Sequence, residues 1–164
     1  MEERAYYIVL KRRAGWGSLS FNVGSPKDTA ALVKLKGKRM PEVFAGLVNL
    51  LSRRGLVIPI KVTEAEEAYS VREDLGPVVG AYVLMLWRAR NYGKWERFLG
   101  QLLDEKLPGV ANAMALFLEA AIDYSKATRD RGRRKRGALL SRRTLDVFSS
   151  VLRQFAEKVL ETAE

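Results

Sequence analysis

The stretch from Pro77 to Trp87 constrains the fold more than any other part of the chain. Val78, Val79, Ala81, Tyr82, Val83, Leu84, Met85 and Leu86 leave no polar stripe at any helical angle, and Arg88 is the first charge after them. A helix that is apolar all round must be covered on every side. This run falls short of the roughly 20 residues that span a bilayer, so it predicts a buried central helix over Pro77 to Tyr92, broken by Gly93, and no membrane span. The remaining elements have to be built around it. With 164 residues the chain has enough length for one sizeable core, and it reads as a single domain with a small α+β lobe at 1–62 and a helical lobe at 63–164.

The elements around that helix carry legible signals. Ala5 to Lys11 is rich in aromatic and β-branched residues, and Ser18 to Val23 alternates Leu19, Phe21 and Val23 with Ser18, Ser20 and Asn22. The intervening Arg12 to Gly17 supplies two glycines for a hairpin loop. Leu56 to Val62 is a candidate third strand, placed at an edge by Pro59. Ser25-Pro26 reads as an N-cap and first turn of a short helix ending near Gly37, and Pro41 opens another that stops at Arg53-Arg54-Gly55. Thr63 with Glu66 forms a capping-box pattern that predicts a helix through about Asp74. Lys94 to Leu107 is amphipathic, and Pro108 starts an apolar-striped helix through Val110, Met114, Phe117, Leu118, Ala121 and Ile122. Ser141 caps a last helix whose seam is Leu145, Phe148, Leu152, Phe155 and Val159. The fold expected is mainly α within the α+β class: a helical bundle of about six helices with a small N-terminal β-hairpin, or a three-stranded sheet if 56–62 joins it.

Charge is distributed unevenly. The net charge is +10, with Arg outnumbering Lys by 18 to 11, and residues 1–60 carry +7, 61–125 carry −3 and 126–164 carry +6. Interleaved signs are usual on a plain solvated surface, so this segregation points to a face for a polyanion. The densest run is 129–143, where Arg129, Arg131, Arg133, Arg134, Lys135, Arg136, Arg142 and Arg143 stand against one acid, Asp130. With almost no apolar residue between Arg131 and Arg136, this run cannot enter a core and belongs in solvent or on phosphate. A second basic cluster is Lys11, Arg12 and Arg13 beside Trp16, an arrangement in which arginine holds phosphate while the ring stacks on an unpaired base. The average burial of tryptophan favours the other reading, with Trp16 as the lid of a small core under the hairpin. Lys34, Lys36, Lys38 and Arg39 form a third patch, which an ordinary helix end explains equally well.

The chain has neither His nor Cys, which excludes imidazole bases, Ser-His-Asp triads, thiolate chemistry, disulfides and the usual zinc sites. Only four Asn and two Gln accompany this abundant charge, a composition that points to a thermophile. Carboxylates alone can hold Mg²⁺, and Glu119 with Asp123, or the acids Glu64, Glu66, Glu67, Glu73 and Asp74, are the candidates for a metal-dependent nuclease. Acids in a first helical turn stabilise the dipole without catalysis, and no motif fixes a site, so no catalytic residue, metal or cofactor is expected. No P-loop or framed dinucleotide motif occurs. The charged start Met1-Glu2-Glu3-Arg4 gives no signal peptide, and a cytoplasmic location follows as the expectation.

The expected activity is non-enzymatic binding of DNA or RNA through the phosphate backbone. The alternative is a subunit of a larger nucleoprotein assembly, with other protein subunits or further copies of the chain as partners. Small helical subunits of CRISPR effector complexes are similar in size, helix content and basic surface, and a viral DNA-packaging protein fits equally well, although no motif carries either likeness.

Overall fold

The apolar segment becomes the middle layer between a five-stranded antiparallel sheet and a set of helices. The computed structural model describes residues 4–37, 39–129 and 138–162. Three strands come first, β1 (Tyr6–Arg13), β2 (Trp16–Val23) and β3 (Thr29–Lys36), followed by α1 (Arg39–Arg53). The hairpin of β4 (Val57–Val62) and β5 (Glu66–Val71) leads through a short 3-10 turn, Glu73–Leu75, into α2 (Gly76–Met85). The chain ends on α3 (Tyr92–Leu103), α4 (Val110–Arg129) and α5 (Arg142–Thr162).

The strand order is β3-β2-β1-β5-β4, with every pairing antiparallel. Two hairpins carry the chain outward to the β3 edge, and α1 then crosses to the opposite edge. Its 15 residues make a helix about 22 Å long, close to the roughly 19 Å across four strand gaps. From there the β4–β5 hairpin returns the chain until β5 pairs with β1.

Strand alternation sends one set of side chains toward the helices. Across three strands the register aligns Leu10, Leu19 and Val33 in one row and Ile8, Phe21 and Ala31 in the next, all buried. Helix α1 lies on this side, with Phe44, Leu47 and Leu51 fully covered, and Gly17 gives Met40 its room, since a Cβ there would sit 2.0 Å from the Met40 sulfur. Every residue of α2 except Pro77 is buried. Helix α2 touches β2 and β3 on one side and α4 and α5 on the other, and no polar face is wasted because none exists. Its Gly80 is pinched between Phe21 of the sheet and Leu118 of α4, both under 3 Å from where a Cβ would stand.

These observations correct the expected fold class. A five-stranded sheet replaces the small hairpin or three-stranded sheet of a helical bundle, because two segments expected as helices are strands. Ser25-Pro26 opens a turn: the Ser25 hydroxyl accepts from the Lys27 amide at 3.0 Å and the Ser25 carbonyl from the Asp28 amide at 3.1 Å, and β3 follows. The Thr63–Glu66 pattern makes its expected bond, with Thr63 Oγ1 accepting from the Glu66 amide at 3.0 Å, but the return bond from the Thr63 amide to the Glu66 carbonyl closes a β-hairpin. Glu64, Glu66, Glu67, Glu73 and Asp74 therefore do not share a helix. Pro59 does mark an edge strand, β4, whose neighbour is β5. The central helix also ends earlier than expected: Arg88 adopts φ 57°, and Asn91 caps α3 by accepting from the Lys94 amide at 3.1 Å, so Gly93 lies inside α3. No helix among the described residues is long and apolar enough to cross a membrane.

Two glycine substitutions test this packing with opposite signs. Gly80→Ala is expected to destabilise by about 1–3 kcal/mol through overpacking, against its helix propensity. Gly100→Ala, whose Cβ would meet Leu50 at an ordinary 3.6 Å, is expected to stabilise by up to about 1 kcal/mol. Denaturant unfolding of the two variants checks both values.

Candidate nucleic-acid interface on the outer sheet face

The side chains that alternate away from the core form a second surface of different character. Strands β1 and β2 run through Arg13 and Trp16, so the turn is only Ala14-Gly15, with Gly15 at φ 76°. The basic residues near the hairpin are therefore strand positions, and strand parity sorts them. Lys11 and Arg13 alternate with Arg12, which places them on opposite faces.

Arg12 goes to the core side. Its Nη1 meets Glu67 Oε2 at 2.5 Å and its guanidinium carbon stands 5.4 Å from the Phe44 ring centroid. The Tyr69 hydroxyl donates to the other Glu67 oxygen at 2.5 Å. Burial, reinforced by that bond to Glu67, pushes the Tyr69 hydroxyl up to about 12. Arg12 is thus neutralised within the fold.

The outer face has the opposite chemistry. Arg13, Trp16 and Lys36 are aligned in one register row, and Lys11, Ser18 and Lys34 in the next. Glu66 extends the second row on β5, but its carboxylate faces Lys61 of β4 at 3.6 Å. Among the described residues no acid is paired with Lys11, Arg13, Lys34 or Lys36. Beyond the charged rows the floor is small and less polar, with Val9, Ser20 and Ala68 buried between their neighbours. Val9 and Ala68 stay outside the contiguous apolar core, and the helices with most contact to the sheet, α1 and α2, pack on its other side.

Trp16 is the aromatic member of the first row. It is 36% exposed, and the Lys34 ammonium stands 5.4 Å from its ring centroid, within the range of a cation–π contact. The expectation that the ring folds back as a core lid is corrected by this exposure. Space under the hairpin is already filled by Leu10, Leu19 and Met40 on the core side, and Trp16 has the wrong strand parity to join them.

The Arg-rich run falls mostly outside the described residues. Arg131, Arg133, Arg134, Lys135 and Arg136 are outside the described residues, and Arg129 is the last residue of α4. The Leu139 and Leu140 amides donate to the Thr29 and Ala30 carbonyls at 2.9 and 2.8 Å, fastening these two residues to the start of β3. Ser141 then caps α5 by accepting from the Thr144 amide at 3.2 Å, with Arg142 and Arg143 exposed in the first turn. The distance along β3 from Ala30 to Lys36 is about 20 Å, so the structure does not bring Arg142 and Arg143 together with the Trp16 row.

Lys34 and Lys36 were legible only as an ordinary patch, yet parity makes them neighbours of Trp16 and Lys11. Lys38 is outside the described residues. A further basic group surrounds the turn after α2, but it is internally committed. Arg88 pairs with Asp146 at 3.2 Å, Lys94 with Glu157 at 3.4 Å, and Arg153 donates to the Met85 and Trp87 carbonyls. Glu119 is half-buried and Asp123 exposed along α4, and no group of three acidic side chains gathers among the described residues.

No protein-family model matches the chain, and comparison with curated proteins and with solved structures finds no significant match.

Strand parity makes Arg12 and Arg13 separable by experiment. Arg12→Gln is expected to lose about 1–3 kcal/mol of stability, because it strands the half-covered Glu67 carboxylate, and to elute from a heparin column as the wild type does. Arg13→Gln is expected to change stability by less than about 0.5 kcal/mol and to elute at lower salt.

Proposed function

We propose that the protein binds nucleic acid through the phosphate backbone and catalyses no reaction on it. The observation that supports this best is the outer sheet face, where Lys11, Arg13, Lys34 and Lys36 surround an exposed Trp16 with no acid partner among the described residues. What sets these four apart is that they gather in two adjoining register rows around one exposed ring, which positions them for an anion supplied from outside. Phosphate contacts of this kind release condensed counterions, and they carry no sequence preference of their own. The sequence between Arg131 and Arg136 holds five more cations. The scattered acids give a nuclease reading no comparable support.

A second reading, membership in a nucleoprotein assembly, is favoured by one observation. Ala113 and Phe117 of α4 and Val151 and Phe155 of α5 line an open apolar groove, with Leu116 and Val147 exposed on the same two helices. Apolar surface of this kind suits a neighbouring protein subunit. Sedimentation of the chain after purification from its native cells distinguishes this reading from that of a free-standing binder.

The primary reading is tested by affinity against salt. Log Kobs is expected to fall linearly with log salt, with a slope of roughly −0.7 to −0.9 per phosphate contacted. The triple variant Lys11→Gln/Lys34→Gln/Lys36→Gln is expected to flatten the slope by about 2 to 3. Arg133→Gln/Arg134→Gln/Lys135→Gln/Arg136→Gln is expected to flatten it by about 3 to 4. Unchanged slopes in both variants reject the proposal.

A further inference from the structure

Neutralising a phosphate backbone requires cations, but it does not require an indole ring among them. Trp16 is an exposed ring amid those cations that folding leaves unexplained. The aromatic packing of the core is made without it, as Tyr6 stacks on Phe21 with ring centroids 5.7 Å apart, and its own cross-strand neighbours are Arg13 and Lys36. An exposed tryptophan between two arms of positive charge is costly in water and useful against a flat, unpaired base.

We infer that this face takes single-stranded nucleic acid, with one unpaired base stacked on Trp16 and the flanking phosphates held by Lys11 and Arg13 on one side and Lys34 and Lys36 on the other. The inference rests on the nucleic-acid reading above and narrows it to the unpaired form of the ligand. The two basic arms belong to β1 and β3, so they stand about 10 Å apart across β2, with the cations of each arm about 7 Å apart along the strand. Trp16 lies between them, and the next outward residue of β2 is Ser18, too small to obstruct a chain lying beside the ring.

A duplex does not fit this arrangement. Its base faces are stacked on one another, and only their edges reach the grooves. The row Arg13, Trp16 and Lys36 runs across three strands, whereas the major groove admits a helix or a two-stranded ribbon. A duplex laid on the face would therefore meet the cations and leave the ring idle. A single strand engages both, because every unpaired base offers a π-face whatever its identity. Lys34 links the two contacts: its ammonium covers the ring in the free protein, and an arriving base displaces it toward the adjoining phosphate.

The test uses the full chain with fluorescently labelled single-stranded RNA and DNA 15-mers and the duplex of the same sequence, at one salt concentration. The wild type is expected to bind single strands at least about tenfold more tightly than the duplex, and Trp16→Ala to weaken single-strand binding roughly 5- to 100-fold while leaving duplex binding within about twofold. Trp16→Phe retains a π-face and is expected to lose less. Quenching of tryptophan emission on adding a single strand is expected in the wild type and largely absent in Trp16→Phe, since Trp95 is buried and the half-buried Trp87 is held by its hydrogen bond to Asp146 of α5. Circular dichroism of both variants is expected to match the wild type, because the ring packs in no core. Equal affinity for single strand and duplex, untouched by Trp16→Ala, overturns the stacking inference and leaves backbone binding intact. Failure of the wild type to bind any of these ligands overturns both.

Discussion

Helix α2 has no side that water can reach without a penalty, and the arrangement of the other elements follows from covering it. A sheet covers one flank and the α4–α5 pair another, which leaves the sheet with a single face committed to the core. Close approach matters as much as apolarity. At Gly80 the helix backbone comes within van der Waals reach of Phe21 and Leu118 together, so the sheet and α4 are held at a separation that even a methyl group would enlarge. Burial of this one segment draws in both layers, and dense packing then fixes their relative position.

With the core face settled, the period-two geometry of a strand decides the fate of every charge on it. Arg12 and Arg13 are adjacent in sequence and identical in chemistry, yet one is consumed by Glu67 and Phe44 while the other stands beside Trp16. A charge carried inward must bring a partner with it, because an unpaired ion near the core costs several kcal/mol. The outward position imposes no such requirement. Strand parity therefore separates Arg12, paired on the inner side, from Lys11, Arg13, Lys34 and Lys36, which among the described residues have no acid partner on the outer side, and this separation makes the outer face a candidate site.

Much of this was legible in the residues, but unevenly. The β1 and β2 pattern, the Pro41 and Ser141 helix starts, the edge position of Pro59 and the burial of 78–86 all follow from local rules. Strands β3 and β5 were obscured because their local signals are shared by two structures. A Ser-Pro pair opens a turn as readily as a helix, and a Thr63–Glu66 bond closes a hairpin as readily as it caps a helix. What decides between them is a partner strand far away in sequence: β5 pairs with β1, about 60 residues earlier. The clustering of Trp16 with Lys34 and Lys36 could not be read without β3 in place. Alternation of Ala31, Val33 and Leu35 with Leu32, Lys34 and Lys36 was the signal that could have revealed it.

An outer face carrying four uncompensated cations within two rows repels itself, and the fold bears that cost because α2 and its neighbours supply a large apolar core. Self-repulsion of this kind is relieved by any ligand that places negative charge between the rows, so binding and stability are thermodynamically linked. A small monovalent anion relieves it only weakly, being fully exchangeable with solvent salt. A polyanion relieves several repulsions in one event and gains the entropy of its released counterions. The pairing of that charge with an exposed ring in the same register rows is what distinguishes this surface from the internally paired cations after α2, where Asp146, Glu157 and two backbone carbonyls already satisfy Arg88, Lys94 and Arg153.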